Sequence, residues 1–367
     1  MRILQLIDVY KTGGAEKVFD NLSVYCKDNN IDSDRFSLYK SSIDNNLNYL
    51  IDYNKKSFVG KFFQQIFLIN KLRKILEKGN YDMIISFLDR SNIVSIIAAK
   101  FLKIRVVVTV HNPPTVQYKK LGKFSKIVFY LLRVFYNKKY VKVIAVSNQV
   151  KNSLSDIGIS NIEVVYNPIF IKGKEQFSEN KSDNNYFIAV GRLEYQKAFW
   201  KLIKAVKILD YKYKENIKLK ILGDGILNES LRKLILELNL ENSIELLGFV
   251  KNPLPIIKNS FAMIFSSYYE GFPITVLEAF SLSIPVIGAK CAIPEEIRNL
   301  LVDFNSLFYI NKNNDENFTL EFEEDDYKLA EILNLALKNT DELFKIAKIG
   351  KNWVKNNCSL DNFGSYF

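Results

Sequence analysis

Histidine occurs once in the 367 residues, as His111, and cysteine three times, as Cys26, Cys291 and Cys358. One imidazole excludes a His-rich metal centre. Three scattered thiols with no paired spacing build neither a disulfide framework nor a thiolate metal site, and they suit a reducing cytosol. No apolar run reaches the roughly 18 residues that cross a bilayer. The opening Met1-Arg-Ile-Leu-Gln-Leu-Ile-Asp8 lacks a small-residue cleavage site and reads as a first strand, so no secretory signal is expected. Acid is missing too: from Arg90 to Ser155 there are 13 lysines and arginines and no aspartate or glutamate. What is present, 48 % apolar and 25 % charged residues, is ordinary for a water-soluble globular chain of two or three domains.

The charge is lopsided. Residues 1–170 hold 26 basic against 13 acidic side chains, and residues 171–367 hold 25 against 27. Such a field acts on partners rather than on fold. Two stretches, Asn54–Lys78 and Gln117–Lys142, interleave lysine and arginine with Phe, Tyr, Leu and Ile. A helix of this kind lies in an anionic membrane interface, or else turns its apolar stripe to a core and its basic back to water. No recognition fold or stacking motif supports nucleic acid as the partner.

Strand-length apolar runs alternate with helix-length amphipathic segments. Strands are expected near 2–9, 36–40, 81–87, 104–110, 142–146 and 162–166. After a polar linker at 171–185, a second series follows near 186–190, 217–223, 243–247, 261–265 and 285–289. Helices are expected between them, near 15–28, 58–77, 91–102, 123–139 and 147–156 in the first half, and the last helical run covers 326–356 without a break. This order specifies an α/β chain with two parallel-sheet domains: 1–170, and 186–352 with a tail at 353–367 that returns to the first domain. Ligands of such sheets bind outside the strand carboxyl ends.

The most informative segment is Ser267-Tyr-Tyr-Glu-Gly-Phe-Pro-Ile-Thr-Val-Leu-Glu278-Ala-Phe. Pro273 favours a helix start, so the N–H groups of Ile274, Thr275 and Val276 face whatever lies ahead of that turn, and an anion suits them. Glu270 and Glu278 would repel phosphate but grip neutral hydroxyls on either side of it, as a nucleotide sugar presents them. A capped helix with two surface acids has the same sequence. Gly191-Arg192-Leu-Glu-Tyr-Gln-Lys197 follows a strand; its two cations either neutralise a departing diphosphate or are simply solvated. Gly13 and Gly14 open the first helix, as an anion-binding turn or a plain tight turn; the three-glycine dinucleotide fingerprint is absent. His111 ends a strand, and is a structural hydrogen-bonder or a group at the site. Gly223-Asp-Gly225 and Gly248-Phe249-Val250 end two more strands. Asp32-Ser-Asp34 has the form of a metal-binding pair but falls in an expected polar loop, and is read as structural.

Taken in order, Gly13-Gly14-Ala15-Glu16, His111, Gly191-Arg192 with Lys197, and Glu270 to Glu278 resemble the retaining glycosyltransferases of family 4. Ile84-Ile-Ser-Phe-Leu-Asp-Arg-Ser-Asn92 is similar to bacterial members that extend polyprenyl-diphosphate oligosaccharides or lipopolysaccharide. The resemblance implies a GT-B fold, two Rossmann-like domains whose parallel sheets face across a cleft. It implies that Arg192 and Lys197 hold the donor diphosphate and that Glu278 takes the ribose hydroxyls. Glu270 with the amides from Gly271 and Phe272 onward would take sugar and phosphate, Gly14 would approach the diphosphate, His111 the donor sugar, and Phe249 and Val250 the base. The implied reaction is metal-independent, uses no cofactor beyond a nucleotide sugar, UDP-linked by expectation, and serves a glycolipid or polyprenyl-diphosphate acceptor. It would take place at the inner face of the cell membrane. Ala198, Ala292-Ile293-Pro294 and Ser306 stand where members often have glycine. The other readings are a non-catalytic nucleotide-sugar-binding scaffold and a sugar-nucleotide epimerase on the same architecture.

Overall fold

The computed structural model describes all residues except 12, 42–43, 45–46, 53–57, 171–185, 289–291, 302–319 and 365–367, and leaves the side chains of 58–62 and 120 undescribed. The expected linker, Cys291 and Ser306 therefore lie outside the described residues. The chain forms two compact units, Met1–Pro168 with Leu360–Phe367, and Ile169–Ser359.

In the first unit the elements run β1 (Arg2–Val9), α1 (Gly14–Asp28), β2 (Asp32–Tyr39), β3 (Asn48–Ile51), α2 (Phe58–Gly79), β4 (Met83–Phe87), α3 (Asp89–Ala98), β5 (Arg105–Val110), α4 (Pro114–Gln117), α5 (Ser125–Tyr136), β6 (Val141–Ala145), α6 (Asn148–Asp156) and β7 (Ile162–Val164). Seven parallel strands lie in the order β3-β2-β1-β4-β5-β6-β7. The central strands are buried throughout, which is why Met83–Phe87 and Val106–Val110 read as nearly continuous apolar runs, interrupted only by Ser86 and Thr109. Because crossovers are right-handed, the leftward step from β1 puts α1 on one face. The rightward steps put α2, α3 and α5 on the other.

The second unit runs β8 (Tyr186–Val190), α7 (Phe199–Ile208), β9 (Lys218–Leu222), α8 (Asn228–Glu237), β10 (Ile244–Gly248), α9 (Leu254–Lys258), β11 (Ala262–Phe265), α10 (Ile274–Ser281), β12 (Val286–Gly288), α11 (Glu295–Arg298), α12 (Glu324–Lys338) and α13 (Thr340–Asn357). Its five parallel strands are ordered β10-β9-β8-β11-β12. A last helix, α14 (Leu360–Gly364), packs on α1 and belongs to the first unit.

Three expectations are corrected. Asp32-Ser33-Asp34 is not a loop: it is the first half of β2, where Asp34 accepts from Arg2 Nη2 at 2.8 Å and from the Tyr81 hydroxyl at 2.7 Å. β3 was not foreseen. The run 326–356 breaks at Asn339, which ends α12 and opens α13.

Candidate functional site

Each sheet has one place where neighbouring strands lead away in opposite directions, and ligands of open α/β sheets bind at the carboxyl ends there. In the second unit this place is β8 beside β11. The loop after β8 carries Arg192 and Lys197; the loop after β11 carries Glu270 and leads into α10. The two loops are laced together. Ser266 Oγ donates to the Lys197 carbonyl at 2.7 Å, the Tyr268 amide to the Gln196 carbonyl at 2.9 Å, and Gln196 Nε2 to the Tyr269 carbonyl at 2.8 Å. Gly223, at the end of β9, supports the first loop from behind. Its φ is +144°, and a Cβ there would lie 1.8 Å from the Gly191 carbonyl oxygen, so only glycine fits. Ala198 caps α7 in the left-handed region, φ 48°, which explains the preference for glycine at that position.

Lys197 and Glu270, 73 positions apart, form an ion pair of 2.6 Å, with their side chains 14 % and 12 % exposed. Lys197 Nζ also lies 5.4 Å from the Phe265 ring centroid. Arg192 is more open and pairs with Glu194 at 2.9 Å. The half-buried Tyr269 phenol feels the charges of both pairs. Burial pushes its ionisation upward, the Glu270 charge adds to that, and Arg192 opposes it. Three residues after Glu270, Pro273 sits just before α10 rather than inside it, and the amides of Val276 and Leu277 already bond its carbonyl. The amides of Ile274 and Thr275 precede those bonds and point ahead of the helix, the side on which an anion is favoured. Phe272, Ile274 and Val276 are buried, with the Phe272 ring 6.3 Å from that of Trp353 on α13, so the helix tip is held from below. Glu278 is buried on the same helix. Phe249 is exposed and Val250 half-buried, beyond β10 at the sheet edge.

In the first unit the corresponding place is β1 beside β4, with β5 next. His111 follows β5 and stacks on Phe87, ring centroids 5.9 Å apart. Its Nε2 lies 2.9 Å from Thr109 Oγ1, and that hydroxyl donates to the Ser86 carbonyl. Nε2 therefore carries the hydrogen, and Nδ1 is left as an acceptor. Burial pushes the imidazole down to about 4, so it is neutral at physiological pH. Gly13 precedes α1 in extended backbone, and Glu16, in the first turn, folds close to it.

Sequence reasoning missed two acids here. Asp8, near the end of β1, accepts from the Ser91 amide at 2.6 Å and so caps α3 from the neighbouring strand. Asp89, the first residue of α3, accepts from Gln117 Nε2 at 2.9 Å and from the Tyr118 hydroxyl. The residue between strand and helix, Leu88, has φ 75°, a conformation a branched side chain adopts only when its surroundings impose it. The available signal was an aspartate closing the apolar strand Ile3–Ile7 and another just after β4. Burial pushes Asp8 up to about 6 against the opposing Ser91 bonds and the Arg90 charge, with Asp89 adding to the rise.

A raised carboxylate stabilises the fold when protonated, so its ionisation above about pH 6 works against folding. Asp8→Asn keeps the cap without the charge. The variant is expected to melt above wild type at pH 8, with the gap closing as pH falls through 6 towards 4. Calorimetric melting of both proteins across that range checks this; a gap independent of pH would contradict it.

Among the described residues no group of three or more His, Cys, Asp or Glu is placed to hold a metal ion.

Residues 12–171 match the family described as Glycosyltransferase Family 4, and residues 171–353 match Glycosyl transferases group 1. A Campylobacter jejuni N-acetylgalactosamine-N,N'-diacetylbacillosaminyl-diphospho-undecaprenol 4-alpha-N-acetylgalactosaminyltransferase is 30 % identical over 262 residues, 68 % of this chain and 71 % of that protein. A second transferase of that organism, which adds alpha-1,4-N-acetyl-D-galactosamine to an undecaprenol-linked glycan, is 24 % identical over 97 % of this chain and 98 % of its own. An uncharacterized glycosyltransferase of Methanocaldococcus jannaschii is 37 % identical over 249 residues, and the match spans 60 % of its length. Among solved structures, Anabaena HepE in complex with UDP-glucose superposes with a TM-score of 0.75 at 19 % identity, over 100 % of this chain and 98 % of that one. WaaG, involved in lipopolysaccharide biosynthesis, gives 0.72 at 12 %, over 99 % of each. The two parallel sheets thus form the GT-B fold. The chain belongs to glycosyltransferase family 4 and is a glycosyltransferase.

Proposed function

We propose that this enzyme moves a hexose or N-acetylhexosamine from a UDP-linked sugar to a lipid-carried or surface-glycan acceptor. It does so with retention and without a metal, as a peripheral protein on the inner face of the cell membrane. The observation that carries the reading is the Lys197–Glu270 pair three residues ahead of the α10 tip. A buried cation and a helix N-terminus together make a seat for a diphosphate, while the carboxylate beside them suits a sugar hydroxyl. The undecaprenol-linked glycans in the names of the Campylobacter relatives support the acceptor class, and UDP-glucose in the HepE complex supports the donor.

In this reading Lys197 and Arg192 take the charge that develops on the departing diphosphate. The amides of Gly271, Phe272, Ile274 and Thr275 line the phosphate and sugar, while the Val276 amide is taken by the Pro273 carbonyl, and Glu278 accepts from the ribose. Phe249 and Val250 border the base. In the first unit, neutral His111 keeps Nδ1 as an acceptor for a sugar hydroxyl. The acceptor hydroxyl bonds to the anomeric carbon on the face the diphosphate leaves, its proton passing to the leaving phosphate oxygen. Such a step needs leaving-group stabilisation rather than a protein nucleophile.

Incubation with radiolabelled UDP-sugars and bacterial membrane extract tests the proposal. Label is expected in a lipid-extractable glycan from one donor, in the presence of EDTA. No labelled glycolipid from any common UDP-sugar would refute it.

A further inference from the structure

Lys197 and Glu270 sit on two different loops of the second unit, and each has a tyrosine two residues before it. Tyr195 lies in the loop after β8, and Tyr268 in the loop after β11. Both tyrosines pack on the same side chain. Trp200, in the first turn of α7 and only 7 % exposed, meets the Tyr195 ring edge-on at 5.8 Å and the Tyr268 ring, tilted by 51°, at 5.9 Å. Aromatic pairs attract at such separations and inclinations. The indole belongs to the core of the unit, whereas the two tyrosines are half-buried and move with their loops.

The wedge matters because the cation has little room of its own. The Lys197 stem runs along Gly191, where a Cβ would come within 2.9 Å of Lys197 Cε, and its ammonium stands 5.4 Å from the Phe265 ring centroid. With the stem walled in, the distance to Glu270 follows the backbone of the two loops rather than a rotamer. Close-packed side chains pass a displacement on instead of absorbing it. A shift of either tyrosine against the indole therefore reaches the ion pair.

We propose that Trp200 is a positioning residue: gripped by Tyr195 and Tyr268, it sets the separation of Lys197 and Glu270. Its effect on transfer rests on the function proposed above; its hold on the pair does not.

Four backgrounds test this. Tyr195→Leu with Tyr268→Leu takes both rings off Trp200 and leaves the indole filling the core. Trp200→Leu removes the wedge itself. Tyr195→Phe with Tyr268→Phe keeps the rings. Phe261→Leu loosens the core at the amino end of β11, where its ring meets Phe187 at 5.3 Å, and serves as a control of comparable melting loss. In each background the Lys197→Met, Glu270→Gln cycle is read by calorimetry as the non-additive part of the melting shifts. That coupling is expected to shrink by about half or more in the two Leu backgrounds at the wedge, and to stay at its wild-type value in the other two. Turnover is expected to follow. The wedge variants lose about ten-fold or more in kcat with KM for the UDP-sugar nearly unchanged, because a misplaced cation fails the transition state more than the bound donor. The Phe pair and Phe261→Leu keep the wild-type kcat. Should Trp200→Leu fail to fold, the tyrosine pair decides. Coupling undiminished in the wedge variants, an equal loss in Phe261→Leu, or a rise in KM with kcat intact would overturn the proposal. Absence of transfer from every UDP-sugar would refute the proposed function and leave the coupling result standing, so the two fail separately.

Discussion

Lys197→Ala is expected to lower the transfer rate by about 10²–10³-fold, the usual loss when one fixed donor to a developing oxyanion is removed. The ion pair complicates the variant. With both partners more than four-fifths buried, truncating one leaves the other uncompensated, so Lys197→Ala and Glu270→Ala are expected to melt below wild type as well as to turn over slowly. The two effects are separable. Lys197→Met with Glu270→Gln removes both charges and is expected to recover most of the stability and none of the rate. If the pair only braced the two loops, the double variant would regain activity along with its melting temperature. A double-mutant cycle read once by calorimetry and once by transfer rate decides between these outcomes.

The second large effect is expected beneath the site. Lys201 and Lys204 of α7 are both about 2 % exposed and converge on Asp326, which is fully buried in the first turn of α12. Lys201 Nζ meets Glu323 at 2.6 Å and Asp326 at 3.5 Å, and Lys204 Nζ donates to the Glu321 carbonyl at 2.6 Å. Asp326 in turn accepts from the Glu323 amide at 2.9 Å, as half of a reciprocal cap on α12. Burial pushes the Lys204 ammonium downward and the Asp326 carboxyl upward, each held against that by the other's charge. Asp326→Ala would leave two buried cations facing a carbonyl and one half-exposed glutamate. A loss of about 3–5 kcal/mol is expected, which for a unit of this size lowers the melting temperature by about 10 °C. Replacing the group together, Lys201→Met and Lys204→Met with Asp326→Leu, is expected to restore most of the loss. Denaturant titration of both variants checks the pair. α7 begins at Phe199, after the cap residue Ala198 that follows Lys197, so the cluster also fixes where the loop carrying Lys197 ends.

Much of this was legible in the chain. Buried parallel strands and amphipathic helices announce themselves by period, and both sheets followed from that alternation. The Glu270–Glu278 segment marked its helix start through Pro273. What escaped was decided by tertiary contact. The polar opening of β2 looks like a loop because its aspartates are matched by Arg2 and Tyr81 from other elements. The break between α12 and α13 did carry a local signal, Asn339 followed by Thr340, Asp341 and Glu342, the composition of a helix start. Asp8 belongs to no motif, and Asp89 was read only as part of the Ile84–Asn92 segment, with no role of its own; the strand order brings the two together. The apolar stripe of α5 could be read as core or as surface, and periodicity does not say which side is covered.

The claim on which the account depends is that the second unit holds a diphosphate with Lys197 and the tip of α10. Titration calorimetry of UDP into the protein in EDTA tests it most directly. Saturable binding is expected for wild type, falling by about ten-fold or more in Lys197→Met with Glu270→Gln, as loss of a charge-assisted bond implies. No binding by wild type, or equal binding by the double variant, would contradict it.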